Sequence, residues 1–278
     1  MLRFWALFRQ ACISFYEDNC FSIAKGAAYS SLLAFFPVLA SIAAILVSVN
    51  AESVALVFSK LLFQVVPPGT RDVVRAQFSG AGTRSGWLIL GATLFSAWAG
   101  SGAMISLMEG FQAAYRLPSG RPFVQQRSVA ILLVVIAAVP AIGSSMLIVF
   151  GARIETGLLV ELGLPPEADL RAGVVLLFGL LRYLVALAAT VFVTGLLYYF
   201  GPNRPVRFRA VWPGAILSTF LWLLATSGFA WYVRHFANYN ALYGSFGTVI
   251  ALVVWMYLIA VISLVGCEYN AVRERLLD

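Results

Sequence analysis

Three ionisable side chains in this chain lie in or beside long apolar segments, where a charge needs a partner, water or a ligand. Arg182 interrupts the apolar run between residues 173 and 200, while Glu109 and Glu268 each stand at the end of another run. Charged groups at membrane depth often mark the path of an ion or a substrate. We therefore take Arg182, Glu109 and Glu268 as candidates for a substrate path, with the two carboxylates responding to protons or cations.

Structural roles explain the same residues, and the sequence leaves both interpretations open. Glu109 and Glu268 would pair with Arg116 or other loop arginines and hold helix ends together. Arg182 lies about 13 Å inside its helix if that helix begins at residue 173, at 1.5 Å per residue. If the span begins near residue 181, the arginine extends to the membrane surface instead.

A polar segment between two apolar runs is the second candidate for the path. Residues 238–247 are rich in amide and hydroxyl groups, and such a stretch can enter a cavity at membrane depth, where its polar groups bind each other or a ligand. The alternative is an interfacial hairpin whose tyrosines lie in the aromatic belt. The candidates here are Asn238, Tyr239, Asn240, Tyr243 and Ser245, and we add Asn270, which closely follows Glu268.

Arginines in two of the loops are candidates for binding anionic lipid headgroups. Each basic side chain near a membrane surface contributes about 1 kcal/mol of attraction to such lipids. The candidates are Arg121, Arg127, Arg204, Arg207 and Arg209.

Metal-dependent and nucleophilic chemistry finds little support in the residues. The chain has one histidine, His235, and three cysteines without metal-ligand spacing, and its acidic residues form no metal-binding motif. No serine or cysteine has an evident histidine partner, which acyl transfer would need. We expect no cofactor, no metal, no nucleic acid partner and no enzymatic activity, a nuclease activity included.

The elements that must position these residues are long hydrophobic helices. Hydrophobic residues make up 61% of the chain and charged residues 11%, with a mean hydropathy of +0.89. Runs near 20 apolar residues match the thickness of the bilayer. The sequence predicts an all-α polytopic membrane protein with six transmembrane helices plus interfacial amphipathic helices. The spans are 27–49, 87–108, 129–150, 173–200, 211–233 and 247–267.

Two parts of this domain carry further predictions. Residues 1–24 have apolar side chains near helical spacing, which predicts either an interfacial helix on the membrane or a helix packed on the bundle. Residues 25–278 then form one six-helix domain, in which residues 53–66 resemble a second interfacial helix. Small residues in span two indicate close helix packing, or a mobile or pore-lining helix as the alternative.

The distribution of lysine and arginine predicts the orientation. Basic residues are more frequent in the N-terminal segment, the second and fourth loops and the C-terminus than in the other loops. Cytoplasmic loops carry such an excess, so we expect both termini in the cytoplasm.

Three segments resemble the YihY/BrkB family of bacterial inner-membrane proteins. They are 25–46, 96–118 and above all 197–275, with the blocks GPNRPV (201–206), YNALYGSFG (239–247) and GCEYNAV (266–272). In the last block Cys267 and Tyr269 depart from the usual family pattern around Glu268. The family has also carried the label ribonuclease BN, which is regarded as a misassignment.

The resemblance implies a six-helix protein of the bacterial inner membrane, and it provides no agreed set of active-site residues. Family members are linked to transport of lipids or other envelope components. The function expected is a transporter-like protein that moves or handles lipid or another envelope component, with membrane lipids as partners. The alternative is a non-catalytic membrane anchor or adaptor that binds a periplasmic or inner-membrane protein partner through its outer loops.

Overall fold

The computed structural model describes residues 2–48, 86–118, 120–138, 143, 169–235 and 246–276. The regular structure in these ranges is helical, which confirms the all-α prediction. The main helices are α1 (Leu2–Glu17), α2 (Cys20–Ser48), α3 (Gly86–Ala114), α4 (Phe123–Ala138), α5 (Asp169–Phe200), α6 (Trp212–His235) and α7 (Phe246–Arg275). A short 3-10 helix, Phe208–Ala210, precedes α6.

Four apolar stretches in the described residues are long enough to cross a membrane. They are Leu90–Ala114, Val175–Phe200, Phe208–Phe229 and Val249–Arg275, and two shorter apolar stretches, Cys20–Phe35 and Phe123–Ala138, lie in α2 and α4. Each of the six predicted spans thus coincides, over its described part, with an apolar helix. The last helix runs on to Arg275, beyond the predicted end at residue 267, so Glu268 and Asn270 lie in the last turns of α7.

The N-terminal helix packs against the bundle. Asn19 separates α1 from α2 and adopts a φ of 56°, a left-handed conformation that asparagine tolerates and that turns the chain. Ala11 of α1 is fully buried in a cluster with Leu217, Tyr269 and Val272 of α6 and α7. One side of α1 therefore packs on the bundle, and the helix also exposes large apolar side chains: Phe4, Trp5, Ile13 and Tyr16.

Small residues bring α2 and α3 together. A Cβ on Gly102 would lie 3.9 Å from the Cβ of Ser30, and one on Gly26 would lie 3.9 Å from the Oγ of Ser106. Farther along the pair, Ser41 donates a 2.7 Å hydrogen bond to the carbonyl of Ala92. These contacts support the packing role of the small residues in span two.

One end of the bundle collects most of the polar contacts described below, and we call it the polar end. It comprises α1, the first turns of α2 and α6, the last turns of α3, α5 and α7, and the connections 115–122 and 201–211. Its centre is a buried cluster that includes Phe111, Tyr198 and Leu264. The segments that the lysine and arginine count assigned to one side of the membrane meet at this end.

Candidate functional site

Glu268 lies in the interior of the polar end. Its carboxylate is completely buried; Oε1 accepts a hydrogen bond from the Cys20 thiol at 3.5 Å, and Oε2 lies 3.6 Å from the guanidinium of Arg275. A buried carboxylate needs such partners because removing it from water is costly. Burial raises the pKa of the Cys20 thiol, and the neighbouring Glu268 raises it further, so this thiol stays protonated and able to donate.

Asn270 joins α7 to the start of α6. Its Oδ1 accepts a 2.7 Å hydrogen bond from the backbone N–H of Gly214, and its Nδ2 donates one of 2.9 Å to the carbonyl of Val211. The first N–H groups of a helix lack partners inside the helix, and this side chain supplies one from a neighbouring helix. Asn270 is therefore both buried and engaged in a helix cap.

Close approach of two glycines makes this contact possible. A Cβ on Gly214 would collide with the carbonyl of Gly266 and with the Asn270 amide. A Cβ on Gly266 would collide with the hydroxyls of Ser218 and Tyr198. Glycine lets the two backbones touch, as it does at many membrane helix interfaces.

Tyr198, on α5, links this helix to the contact between α6 and α7. Its hydroxyl lies 2.7 Å from the Ser218 Oγ and donates a 2.7 Å hydrogen bond to the carbonyl of Ser263. The Phe111 ring packs edge-on against it, with the ring centroids 5.4 Å apart. A single side chain of α5 thus contacts α3, α6 and α7.

Two of the predicted headgroup arginines bind other parts of the polar end. Arg121 donates three hydrogen bonds, of 2.8 to 3.0 Å, to the carbonyls that end α5, those of residues 200–202. Arg204 forms an ion pair with Glu274 and lies 4.7 Å from the ring centroid of Tyr115. These contacts fix the two connections that carry the arginines.

Arg127 reaches into the candidate span of α3. Its guanidinium lies 3.8 Å from the centroid of the Trp98 ring and donates a 3.2 Å hydrogen bond to the Trp98 carbonyl. Trp98 is about 12 Å from the start of the span Leu90–Ala114, at 1.5 Å per residue. The sequence suggested a loop arginine, whereas the structure brings its charge beside an aromatic ring inside an apolar span.

The other ionisable candidates are more exposed. Arg207 and Arg209 flank the half-exposed Phe208, and both side chains face outward. Glu109 is exposed on α3, although the adjacent Gly110 packs against Leu264, one turn before Glu268. The two carboxylates therefore lie on touching helices but in different surroundings, one outside and one inside the bundle.

Arg182 is partly exposed on α5, whose candidate span has no buried residue in its most apolar window. Its guanidinium lies 3.8 Å from the position that a Cβ would occupy on Gly179, one turn nearer the start of the helix. The candidate span begins at Val175, about 10 Å before Arg182 along the helix at 1.5 Å per residue, and the role of Arg182 stays a prediction.

Several predicted features fall outside the described residues. They are Asn238, Tyr239, Asn240, Tyr243 and Ser245, the interfacial segment 53–66, and residues 50–85 and 151–168 of the two outer loops, 50–86 and 151–172, through which an adaptor would bind a partner. Their roles stay predictions. In the ranges that the structure does describe, histidine, cysteine and carboxylate side chains form no group of three or more that could hold a metal ion.

The sequence did not identify Cys20, Trp98, Tyr198 or Ser218. Each is a common residue type in an apolar helix, and its importance comes from a neighbour that is remote in sequence. The one sequence signal was indirect, because Glu268 and Asn270 needed buried partners that the apolar pattern did not supply.

Comparison with known proteins identifies relatives along nearly the whole chain. The sequence model of the family described as Virulence factor BrkB matches residues 11–277. A Bacillus subtilis protein named as ribonuclease-like, YfkH, is 30% identical over 192 residues, 69% of this chain and 68% of its own length. A UPF0761 membrane protein of Pseudoalteromonas translucida is 27% identical over 273 residues, 96% of this chain and 84% of its own.

A third relative is longer than this chain. The UPF0761 membrane protein of Legionella pneumophila strain Corby is 25% identical over 261 residues, 92% of this chain and 59% of its own length. No solved structure matches the chain.

Proposed function

Since the chain belongs to the BrkB family of membrane proteins, we propose that it is a transporter-like protein of the bacterial inner membrane, which moves or handles an anionic lipid or another envelope component. Its helices would carry the cargo's charged group past the apolar layer while the lipid tails stay in the bilayer.

The observation that carries this proposal is the position of the Arg127 guanidinium. It lies on the Trp98 ring inside an apolar span, where a charge is expensive and marks a path for polar cargo. A guanidinium presents several donors in one plane, which suits phosphate and carboxylate oxygens. Its stacking on tryptophan holds that plane in a fixed orientation, so the donors not used by the Trp98 carbonyl can meet cargo.

Two further features support the same function. Arg207 and Arg209 are exposed beside Phe208 at the polar end, which is the arrangement expected for collecting anionic headgroups at a membrane surface. Arg182 lies on a helix whose surface is otherwise apolar and exposed. Together these arginines would lead from one surface toward the interior of the span.

A vesicle assay with purified full-length protein tests the proposal. The vesicles contain phosphatidylcholine, phosphatidylglycerol and a trace of fluorescent phosphatidylglycerol, and an impermeant reductant bleaches only the outer leaflet. We expect the wild-type protein to move the inner-leaflet probe to the outer leaflet, where the reductant bleaches it. Arg127→Gln should slow this movement roughly tenfold, the effect of losing about 1.4 kcal/mol of contact with the cargo. Arg127→Lys keeps the charge but not the planar guanidinium, and its rate should lie between those of the wild type and Arg127→Gln.

Arg9→Gln is the matched control, because Arg9 is an exposed arginine outside the span and should leave the rate unchanged. Equal rates for wild type and Arg127→Gln would refute the role of Arg127. Equal rates for wild type and protein-free vesicles would refute lipid movement and favour the adaptor, for which cross-linking of a partner to residues 50–86 or 151–172 is the next measurement.

A further inference from the structure

A groove separates α1 from the last turns of α7 at the polar end. Its volume is about 650 Å³, within the range of pockets that hold small ligands. Leu7 and Val272 supply apolar walls, and the polar groups come from Gln10, Ser14, Glu17 and three arginines, Arg116, Arg273 and Arg275. The lining is therefore divided into an apolar part and a polar part, in which three basic side chains outnumber one carboxylate.

Two of these polar groups have no partner in the described part of the chain. Ser14 is 2% exposed and lines the groove, and its hydroxyl makes no hydrogen bond with any described residue. Arg273 forms no ion pair there, whereas the neighbouring Arg275 lies 3.6 Å from Glu268. The groove thus contains an unused donor and an uncompensated positive charge.

The acidic residues nearby are already engaged. Glu17 and Asp18 both contact Arg116, with N–O distances of 3.3 Å, and Glu268 contacts Cys20 and Arg275. They leave the charge of Arg273 available to a ligand. A group with several acceptor oxygens and a negative charge would satisfy the Ser14 hydroxyl and the Arg273 guanidinium at once.

We propose that this groove binds the phosphate headgroup of an anionic phospholipid, with the phosphate between Ser14 and Arg273 and the start of an acyl chain along Leu7 and Val272. The outer face of α1 favours a lipid over a soluble phosphate. It exposes Trp5, Ile13 and Tyr16, and tryptophan and tyrosine are the side chains enriched at the level of headgroups in membrane interfaces. The groove therefore opens beside the headgroup layer.

This site goes beyond the proposed transport, because a lipid held there would join α1 to α7 whether or not the protein moves lipid. Native mass spectrometry of the detergent-purified full chain, titrated with phosphatidylglycerol, phosphatidylcholine or inorganic phosphate, measures its occupancy. We expect phosphatidylglycerol to bind best. Arg273→Gln should weaken its binding roughly tenfold, Ser14→Ala severalfold, and Arg273→Lys less than Arg273→Gln.

Arg9→Gln removes an exposed arginine that does not line the groove and serves as the matched control. The proposal is overturned if Arg9→Gln weakens binding as much as Arg273→Gln, since the attraction would then come from general surface charge. It is also overturned if inorganic phosphate binds as well as phosphatidylglycerol, or if Arg273→Gln and Ser14→Ala bind like wild type. Loss of lipid binding in Arg273→Gln with an unchanged vesicle assay would separate this site from the path at Arg127.

Discussion

At the residue scale, charged and amide side chains at the polar end mainly contact one another. Glu268, Asn270 and Arg121 each bind groups on a different helix or connection. Their proposed roles on a substrate path or at a headgroup stay predictions, and any such role must coexist with these contacts. Removing one partner of a buried contact leaves the other unsatisfied, at a cost of about 1 to 3 kcal/mol.

The glycine contact between α6 and α7 gives a prediction for stability. Gly214→Ala places a methyl group against the Gly266 carbonyl and the Asn270 amide, and we expect overpacking to lower the free energy of unfolding by about 1 to 3 kcal/mol. Gly228→Ala, in the same helix, meets no atom within 4 Å and should leave stability equal or slightly higher. Thermal unfolding of the two variants in one detergent measures the difference. Equal midpoints would show that the backbones are not in close contact.

The sequence indicated which residues need partners but not which partners they have. Glu268 and Asn270 are conspicuous because they follow an apolar run. Cys20 is not, since it lies 248 residues from Glu268 and nothing in the local pattern links the two. The position of Arg127 just before its apolar run predicts a loop residue. The length of an arginine side chain then lets the charge reach a residue on the neighbouring helix.

At the element scale, α1 shows why an amphipathic pattern leaves two interpretations open. A stripe of apolar residues indicates that one face is covered, but lipid and protein cover it equally well. In the structure Ala11 and Phe15 face the bundle, while Trp5 and Tyr16 remain exposed. The apolar surface of α1 is therefore wider than the face that packs on the bundle.

Thiol labelling tests the packing of α1. Cys12 is exposed, whereas Cys20 is buried in the cluster that includes Phe15 of α1, and burial with the nearby Glu268 keeps the pKa of Cys20 above its ordinary value. We expect maleimide at neutral pH to modify Cys12 readily and Cys20 very slowly, because the thiolate reacts. Ala11→Glu puts a charge into the contact with α7 and should increase Cys20 labelling at least tenfold, measured by peptide mass spectrometry.

Cys12→Ser supplies the control for that experiment, since it removes the exposed thiol and should leave Cys20 protected. Rapid labelling of Cys20 in the otherwise unchanged protein would contradict the packed position of α1.

At the scale of the whole molecule, hydropathy predicted the helices well and their ends less well. A bilayer of fixed thickness sets the length of apolar runs, so the spans are visible in the sequence. The helix ends depend on caps and side-chain contacts such as those of Asn270 and Arg121, which are remote in sequence. The last helix likewise continues through Glu268 to Arg275, beyond its apolar run.

The arginine distribution predicts that the polar end faces the cytoplasm. A fluorescent protein that folds only in the cytoplasm, fused after Asp278, should be bright in cells, whereas alkaline phosphatase at the same place should be inactive. Alkaline phosphatase inserted within residues 151–172 should be active. The opposite pattern at both positions would show that the predicted orientation is wrong. Activity of the same reporter at the C-terminus and within residues 151–172 would contradict the odd number of membrane crossings predicted between these two positions.

The contacts that α1 and the start of α2 make with α7 also set an order for assembly. Cys20, the first residue of α2, is separated from Glu268 by 248 residues, and the rings of Phe4 in α1 and Tyr269 in α7 lie 5.8 Å apart. At about 5 to 20 residues per second, a ribosome needs roughly 12 to 50 s to synthesise the chain between them. During that interval α1 has no α7 to bind, and its apolar surface keeps the nascent segment on the lipid until the last helix is inserted.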